Sequence, residues 1–137
     1  MTRGFLLISH GFYAKALNES LNMTAGDVDD VLYACCLEQH DGPESFTVKL
    51  KDAEQKLNQF DEVILFADIM GGSPCNTAFQ YFQSNPKYQI IAGMNFPMVL
   101  TALLTPDATI EDLVSAGQQG VVDIRAYTAA SASDVDD

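Results

Sequence analysis

A histidine and an aspartate occupy matching places in the sequence, each directly after a short apolar run. His10 follows the run at residues 4–9, and Asp68 follows the run Glu62–Ala67. Imidazole titrates near neutrality and is nucleophilic through its unprotonated ring nitrogen. If the Asp68 carboxylate accepts a hydrogen bond from Nδ1–H of His10, Nε2 is left as the free nucleophile. The pair therefore predicts nucleophilic chemistry at His10, with Asp68 as the residue that orients the ring.

A glycine-rich turn follows the aspartate and leads into a predicted helix, with Ser73 as its N-cap and Pro74 as its first residue. A helix N-terminus carries unpaired N–H groups and partial positive charge, and glycine lets an anion approach the backbone closely. Gly11 opens another predicted helix in the same way. We therefore predict that Gly11, Gly71, Gly72 and Ser73 bind a phosphate and stabilise its equatorial oxygens during transfer.

Taken alone, each of these features also has a purely structural interpretation. A histidine after a first strand is often structural, an aspartate can cap a turn, and Gly-Gly-Ser-Pro can simply begin a helix. Their convergence favours a functional site. The second histidine, His40, is predicted to be a solvated loop residue.

The elements that must position these residues alternate along the chain. Short apolar runs predict strands, and segments with helical periodicity predict amphipathic helices between them. The predicted strands are 4–9, 31–37, Glu62–Ala67, Tyr88–Ala92 and, with alternating polarity, 121–127; the predicted helices are 12–23, 43–60, 74–82, one after Pro97 ending near Leu104, and one from the capping pair Thr109 and Asp112 to near Gly117. This order predicts an α/β fold, an open, doubly wound, mainly parallel sheet of four parallel strands plus one edge strand, with helices on both faces.

The carboxyl ends of parallel strands form one rim of such a sheet, and ligands bind outside that rim. His10, Asp68 and the segment 71–73 each follow a strand closely, so the sequence predicts that they meet there. The residues after the fourth strand fall on the same rim. We predict that Met94, Asn95, Phe96 and Pro97 border the pocket or dock a partner.

Composition excludes several classes of function. The 137 residues include 19 acidic against 7 basic side chains, a net charge of -12, which disfavours binding to nucleic acid or to an anionic membrane. We find neither a bilayer-length apolar run nor a signal-peptide pattern, so a cytoplasmic protein is predicted. No metal and no cofactor are predicted: the three cysteines lack metal-ligand spacing and are interpreted as buried hydrophobic residues, and no dinucleotide fingerprint or P-loop occurs.

Three motifs carry a resemblance to a known family. They are Ile8-Ser9-His10-Gly11, Asp68-x-x-Gly71-Gly72-Ser73-Pro74-x-Asn76, and Gly93-x-Asn95-x-Pro97-Met98. In this order and spacing the chain resembles the IIA domains of mannose-class sugar phosphotransferase systems. The resemblance covers a predicted domain at residues 1–127 and leaves 128–137 as a predicted disordered acidic tail. Phe96 departs mildly from the family pattern, where a leucine or isoleucine is expected.

The resemblance implies a specific activity. His10 would accept a phosphoryl group from the histidine phosphocarrier protein HPr and pass it to a IIB subunit, which phosphorylates the sugar entering through the membrane subunits IIC and IID. Asp68 would orient the imidazole, and Ser73 with nearby amides would contact the phosphate. Because the chain shows one IIA domain, IIB is expected as a separate polypeptide. Members of the family form homodimers that exchange the final strand, here 121–127.

Three other functions remain open from the sequence. The phosphotransfer subunit of dihydroxyacetone kinase shares the histidine but departs at the second and third motifs. A hydrolase using Ser73 as nucleophile would require a Gly-x-Ser-x-Gly elbow, which is missing because Pro74 and Cys75 follow the serine. A non-enzymatic module that binds an anionic metabolite could use the same rim.

Overall fold

The computed structural model describes residues 1–135, which form four strands and six helices. The strands are β1 Arg3–His10, β2 Leu32–Leu37, β3 Glu62–Ala67 and β4 Tyr88–Ala92; the helices are α1 Tyr13–Ala25, α2 Pro43–Leu57, α3 Ser73–Phe82, α4 Phe96–Leu104, α5 Ile110–Gln119 and α6 Ile124–Val135. Each of the first four predicted strands is found, and the bounds of β3 and β4 are as predicted.

The four strands form one parallel sheet in the order β2-β1-β3-β4. Alternate side chains of β1 supply two cores: Phe5 and Leu7 pack on the face covered by α1, α4 and α5, and Leu6 and Ile8 pack on the face covered by α2 and α3. Burial on both faces explains why the central strands are continuous apolar runs. The prediction of a parallel sheet with helices on both faces is confirmed.

Local capping sets where several helices begin. At α5, the Thr109 hydroxyl accepts from the Asp112 amide and the Asp112 carboxylate accepts from the Thr109 amide, each at 3.0 Å, which confirms the predicted capping box. At α3 the prediction is wrong by one residue. Gly72 is the N-cap, Ser73 is the first helical residue, and the Ser73 side chain makes no capping hydrogen bond.

The predicted edge strand at residues 121–127 is wrong for the described part of the chain. Helix α6 begins at Ile124, and its preceding residues form no strand. A strand requires a neighbour, whereas Val121, Ile124 and Tyr127 are 81%, 68% and 64% exposed. Local propensity then decides, because alanine recurs at 126, 129, 130 and 132 and is the strongest helix former.

Helix α6 also continues through residues 128–135, where the sequence predicts a disordered tail. Asp136 and Asp137, the end of that predicted tail, lie outside the described residues. Among residues 1–135, no helix has both the length and the apolar character needed to cross a membrane.

Candidate functional site

The sheet brings the predicted histidine and aspartate into direct contact. His10 ends β1, Asp68 follows the adjacent strand β3, and the Asp68 amide donates to the Ile8 carbonyl at 3.1 Å. Oδ2 of Asp68 lies 2.8 Å from Nδ1 of His10 and also accepts from the His10 backbone amide at 2.9 Å. Oδ1 accepts from the amide of Ile69 at 2.8 Å. These contacts fix the carboxylate and confirm that both side chains meet at the rim.

This contact determines which ring nitrogen of His10 is available. An ionised carboxylate only accepts hydrogen bonds, so a neutral imidazole beside it carries its proton on Nδ1 and its lone pair on Nε2. The Asp68 side chain is 11% exposed, whereas the His10 side chain is 50% exposed. The orienting group is therefore sheltered while the ring remains open to a second molecule.

Gly72 lies next to Cε1 of this imidazole. A Cβ added at Gly72 would lie 2.7 Å from Cε1 of His10 and 3.4 Å from Nε2, so a side chain at this position collides with the ring. The glycine thus lets the N-terminus of α3 approach Nε2 of His10 closely. Among the described residues, none accepts a hydrogen bond from the amides of Gly72 and Ser73. These donors fit the predicted anion site.

The turn before α3 is held by two local features. Gly71 has φ +82°, a conformation that glycine adopts without strain, and its carbonyl accepts from Nδ2 of Asn76 at 3.2 Å. Asn76 belongs to the second sequence motif, and this contact gives it a role in holding the glycine turn.

Gly11, the fourth predicted phosphate contact, is arranged differently. It has φ +57°, and its amide already donates to the Leu37 carbonyl at 2.8 Å, so this donor is occupied. Next to it, Ser9 is completely buried, accepts from the Ala14 amide at 2.7 Å and donates to the Gly11 carbonyl at 3.1 Å. Sequence reasoning missed this capping of α1; a lone hydroxyl ending an apolar run was the available signal.

The segment after β4 packs into the protein more than predicted. Met94 is 3% exposed and belongs to the core, so its prediction as a rim or docking residue is wrong. Oδ1 of Asn95 accepts from the Met98 amide at 3.0 Å, and Nδ2 donates to the Gly117 carbonyl at 2.9 Å. Pro97 lies so close to Gly120 that an added Cβ there would be 2.5 Å from its ring.

Phe96, the last residue of that group, is half-buried against the core. The segment 94–97 therefore joins α4 to the core and to α5, and both ends of the Asn95 side-chain amide are engaged. Segment 94–97 follows a parallel strand just as Asp68 does, so its position in the sequence could not show that it packs against the core.

Exposed apolar side chains flank His10, and the sequence analysis did not single them out. Phe12, Ile69 and Met70 are 64%, 57% and 82% exposed, and we call these three residues the apolar collar. They stand within two residues of His10 or Asp68 in the sequence. Exposed apolar side chains next to His10 and Asp68 add apolar area to this part of the surface.

A second polar cluster lies at the turn between β2 and α2. Glu38, His40 and Asp41 bring one possible metal-ligand atom each within 4.8 Å of one another. The Lys49 ammonium contacts both carboxylates, at 2.9 Å for Glu38 and 2.7 Å for Asp41, and this hydrogen bonding lowers the pKa of Asp41. One cation of the chain, Lys49, therefore already offsets part of the negative charge of this cluster. The His40 side chain is 75% exposed, as predicted for a solvated loop residue.

The cysteines fit their predicted role as small apolar residues. Cys35 and Cys75 are buried and Cys36 is half-buried, and all three are free thiols. Burial raises the pKa of the Cys35 thiol to about 12 and also raises the pKa of Cys75. Both buried thiols therefore stay protonated at neutral pH and are poor nucleophiles.

Comparison with known proteins identifies the family of this chain. The family model described as PTS system fructose IIA component matches residues 4–116, where PTS denotes the phosphotransferase system. The mannose-specific EIIAB component of Escherichia coli (strain K12) is 27% identical over 132 residues; the match covers 92% of this chain and 41% of that protein. The chain thus spans less than half of that relative. The fructose-specific EIIA component of Bacillus subtilis is 27% identical, with 80% of this chain and 75% of that protein covered.

Solved structures show the same fold. The PTS IIA protein associated with the fucose utilization operon of Streptococcus pneumoniae superposes with a TM-score of 0.84 at 26% identity, covering 93% of this chain and 97% of that one. The mannose/sorbose-specific IIA subunit of Enterococcus faecalis gives a TM-score of 0.78 at 26% identity, covering 90% and 95%. Because the family model spans most of the chain and these folds agree, the chain belongs to the family of PTS system fructose IIA components.

Proposed function

We propose that this protein is a phosphoryl carrier of a mannose-class sugar phosphotransferase system, with Nε2 of His10 as the phosphorylated atom. The observation that carries the proposal is the 2.8 Å contact between Nδ1 of His10 and Asp68, which leaves Nε2 unprotonated beside the N-terminus of α3. Membership in the IIA family supports the same role.

The transfer balances without a cofactor. The Nε2 lone pair of His10 attacks phosphorus in a phosphohistidine donor, a new P–N bond forms, and the donor's P–N bond breaks with its electron pair returning to the donor imidazole. The proton on Nδ1 of His10 stays in its hydrogen bond to Asp68. Passing the group to an acceptor histidine reverses these roles.

The donors beside Nε2 account for stabilisation of the transferred group. The amides of Gly72 and Ser73 and the Ser73 hydroxyl would hydrogen-bond the equatorial oxygens, and the dipole of α3 would favour their charge. Lysine and arginine are scarce around this rim, so the phosphoryl group is held by neutral donors. A moderate hold suits a carrier, since the group must leave again.

The partners follow from the family role. We propose that HPr donates the phosphoryl group and that a IIB subunit accepts it, in the cytoplasm, for sugar taken up through IIC and IID. The apolar collar supports this proposal, because Phe12, Ile69 and Met70 offer apolar contact area around the half-exposed histidine. The dihydroxyacetone kinase, hydrolase and anion-binding hypotheses receive no such support from the matched family.

We also propose that the protein works as a homodimer. The Val63 amide donates to the Lys87 carbonyl, and the Gly93 amide donates to the Ala67 carbonyl, so the odd-numbered residues of β4 pair with β3. The backbone amide and carbonyl of Ile90 therefore point away from β3. Neither its amide nor its carbonyl has a partner among the described residues. An open strand edge is a template for a second chain.

Segment 121–127 carries exposed apolar residues that could cover the open edge of β4 in a second chain. We propose that this segment of each chain covers the β4 edge of the other. The double variant Val121→Asp, Ile124→Asp should then be monomeric by light scattering, whereas Val48→Asp, at an exposed position on α2, should remain dimeric. A monomeric wild-type protein, or a double variant that stays dimeric, would contradict the dimer proposal.

The phosphocarrier role is tested by intact mass. Incubation with phosphoenolpyruvate, enzyme I and HPr should add about 80 Da to the wild-type protein, and acid should remove it. His10→Ala should show no increase, and His40→Ala, the matched control at the other histidine, should be phosphorylated like the wild type. An unchanged wild-type mass alongside phosphorylated HPr would overturn the proposal.

A further inference from the structure

A groove runs along the outer edge of β2, between helices on opposite faces of the sheet. We call it the β2 groove; it has a volume of about 510 Å³ and lies between Lys15 of α1 and Lys49 and Lys56 of α2. Its floor is the strand itself, from Tyr33 to Cys36. It is separate from the Asp68 and Gly72 side of the phosphorylation site, since neither residue lines it.

The floor of this groove presents unpaired backbone groups. Phe5 donates to Val31 at 2.8 Å and Gly11 donates to Leu37 at 2.8 Å, so the odd-numbered residues of β2 face β1 and the even-numbered ones face the groove. Among residues 1–135, nothing pairs with the amide or carbonyl of Ala34. One residue of the edge is therefore free to exchange both hydrogen bonds with an added strand.

Side chains close the two ends of this edge. The Leu32 carbonyl accepts from Nδ2 of Asn18 at 3.4 Å, and the Cys36 carbonyl accepts from the Lys49 ammonium at 2.9 Å. These contacts limit pairing to a short segment centred on Ala34. Long edge-to-edge association of the kind that leads to aggregation is thereby disfavoured.

The walls of the groove carry positive charge on a strongly acidic protein. Three of the seven Lys and Arg residues line it, although the net charge of the chain is -12. Lys49 is ion-paired, but Lys15 and Lys56 have no carboxylate within ion-pair distance in the part of the chain that the structure describes. The Lys56 ammonium lies 5.8 Å from the ring centre of Tyr33, over the floor.

We propose that the β2 groove docks an extended, acidic segment of a partner protein, which adds to the sheet at Ala34. Successive side chains of an added strand point to opposite faces, so its carboxylates meet Lys15 on the α1 wall and Lys56 on the α2 wall. A peptide backbone matches the free amide and carbonyl of Ala34, which a nucleic acid does not.

The position of the groove connects docking with phosphotransfer. Phe12 lines it and belongs to the apolar collar, two residues after His10. A segment seated in the groove therefore reaches the margin of the phosphorylation site while leaving His10 open. This inference rests on the groove itself and holds whether or not His10 is phosphorylated.

The test is an NMR titration of the uniformly ¹⁵N-labelled protein with a blocked hexapeptide of two adjacent glutamates flanked by valines, so that one carboxylate faces each wall of the groove. We expect the largest shifts at the amides of Ala34 and Cys36, and slower hydrogen exchange at Ala34. The variant Lys15→Gln, Lys56→Gln should bind about tenfold more weakly. Lys51→Gln, Arg125→Gln removes the same charge outside the groove and should bind like the wild type.

Backbone pairing is tested separately. Ala34→Pro removes the amide that faces the groove, a change tolerated at an edge, and should abolish binding while circular dichroism remains unchanged. If that variant does not fold, exchange in the wild type decides, since unchanged exchange at Ala34 overturns the proposal. Shifts confined to the apolar collar, equal weakening in both charge variants, or tighter binding of a single-stranded oligonucleotide would also overturn it.

Discussion

Two segments of this protein occupy equivalent places in the fold but do different work. The residues after β3 and the residues after β4 both follow parallel strands, and both place a side-chain oxygen where it accepts from a backbone amide. Oδ2 of Asp68 contacts Nδ1 of His10, and the other ring nitrogen of His10, Nε2, stays free. Asn95 engages both ends of its amide, with Met98 and Gly117, and leaves nothing reactive. A position on the rim therefore creates a site only where one polar group remains unsatisfied.

The largest effect that this comparison predicts is at Asp68. Asp68→Asn keeps the size of the side chain but places an N–H donor or a neutral oxygen against Nδ1, so the ring loses its fixed tautomer. We expect phosphoryl transfer from HPr to slow on the order of a thousandfold, by analogy with the orienting aspartate of hydrolase triads. Rapid-quench measurement of the transfer rate checks this, and a rate within a few-fold of wild type would contradict the role of Asp68.

A smaller effect is expected from Gly72→Ala. The added methyl would lie 2.7 Å from Cε1 of His10, so either the ring or the glycine turn must move. Misplacement of a reacting group on this scale lowers transfer about a hundredfold. Gly42→Ala is the matched control, because its added methyl meets nothing within 4 Å; its rate should equal that of the wild type.

Ser9 should affect both activity and stability. Ser9→Ala leaves the Ala14 amide without its 2.7 Å acceptor in a buried place and loosens the start of α1, next to His10. We expect the free energy of unfolding to fall by about 1–3 kcal/mol. The rate of phosphoryl transfer should fall by about threefold, because the variant alters only the backbone segment between His10 and α1. Urea denaturation together with the transfer assay measures both, and a stable but inactive variant would require a different role.

Replacement of Asn95 should lower stability without changing phosphoryl transfer, the opposite of what is expected at Asp68. Asn95→Ala removes the cap of α4 and the link to Gly117, so the free energy of unfolding should fall by about 1–2 kcal/mol. The transfer rate of the folded variant should stay unchanged, because no group near His10 is altered. A selective loss of transfer without loss of stability would instead give the β4 segment the docking role that the sequence predicts.

How far the sequence could predict this molecule depended on whether the decisive contacts were local. Strand β3 was predicted to the residue because side chains buried on both of its faces form a continuous apolar run, and the Thr109 capping box is formed within four residues. The meeting of His10 with Asp68 required only the rule that parallel strands end at one rim.

The predictions that were wrong depended on tertiary context. Met94 resembles a rim residue in the sequence, but its burial is set by packing against helices far along the chain. At Ser73, the cap moved to Gly72 because the glycine turn brings the backbone against His10. Residues 121–127 alternate like a strand, yet among residues 1–135 no strand pairs with them, and the alanine-rich helix α6 begins at Ile124. The apolar collar carried no periodic signal.

The most direct test of the central claim identifies the phosphorylated nitrogen of His10. The protein, labelled with ¹⁵N in its histidine rings, is phosphorylated through HPr and examined by long-range ¹H–¹⁵N correlation NMR. The account predicts that Nε2 of His10 carries the phosphoryl group while Nδ1 keeps its proton, because Asp68 holds that proton at a 2.8 Å contact. Phosphorylation at Nδ1, or a phosphoryl group found on any other residue, would contradict it.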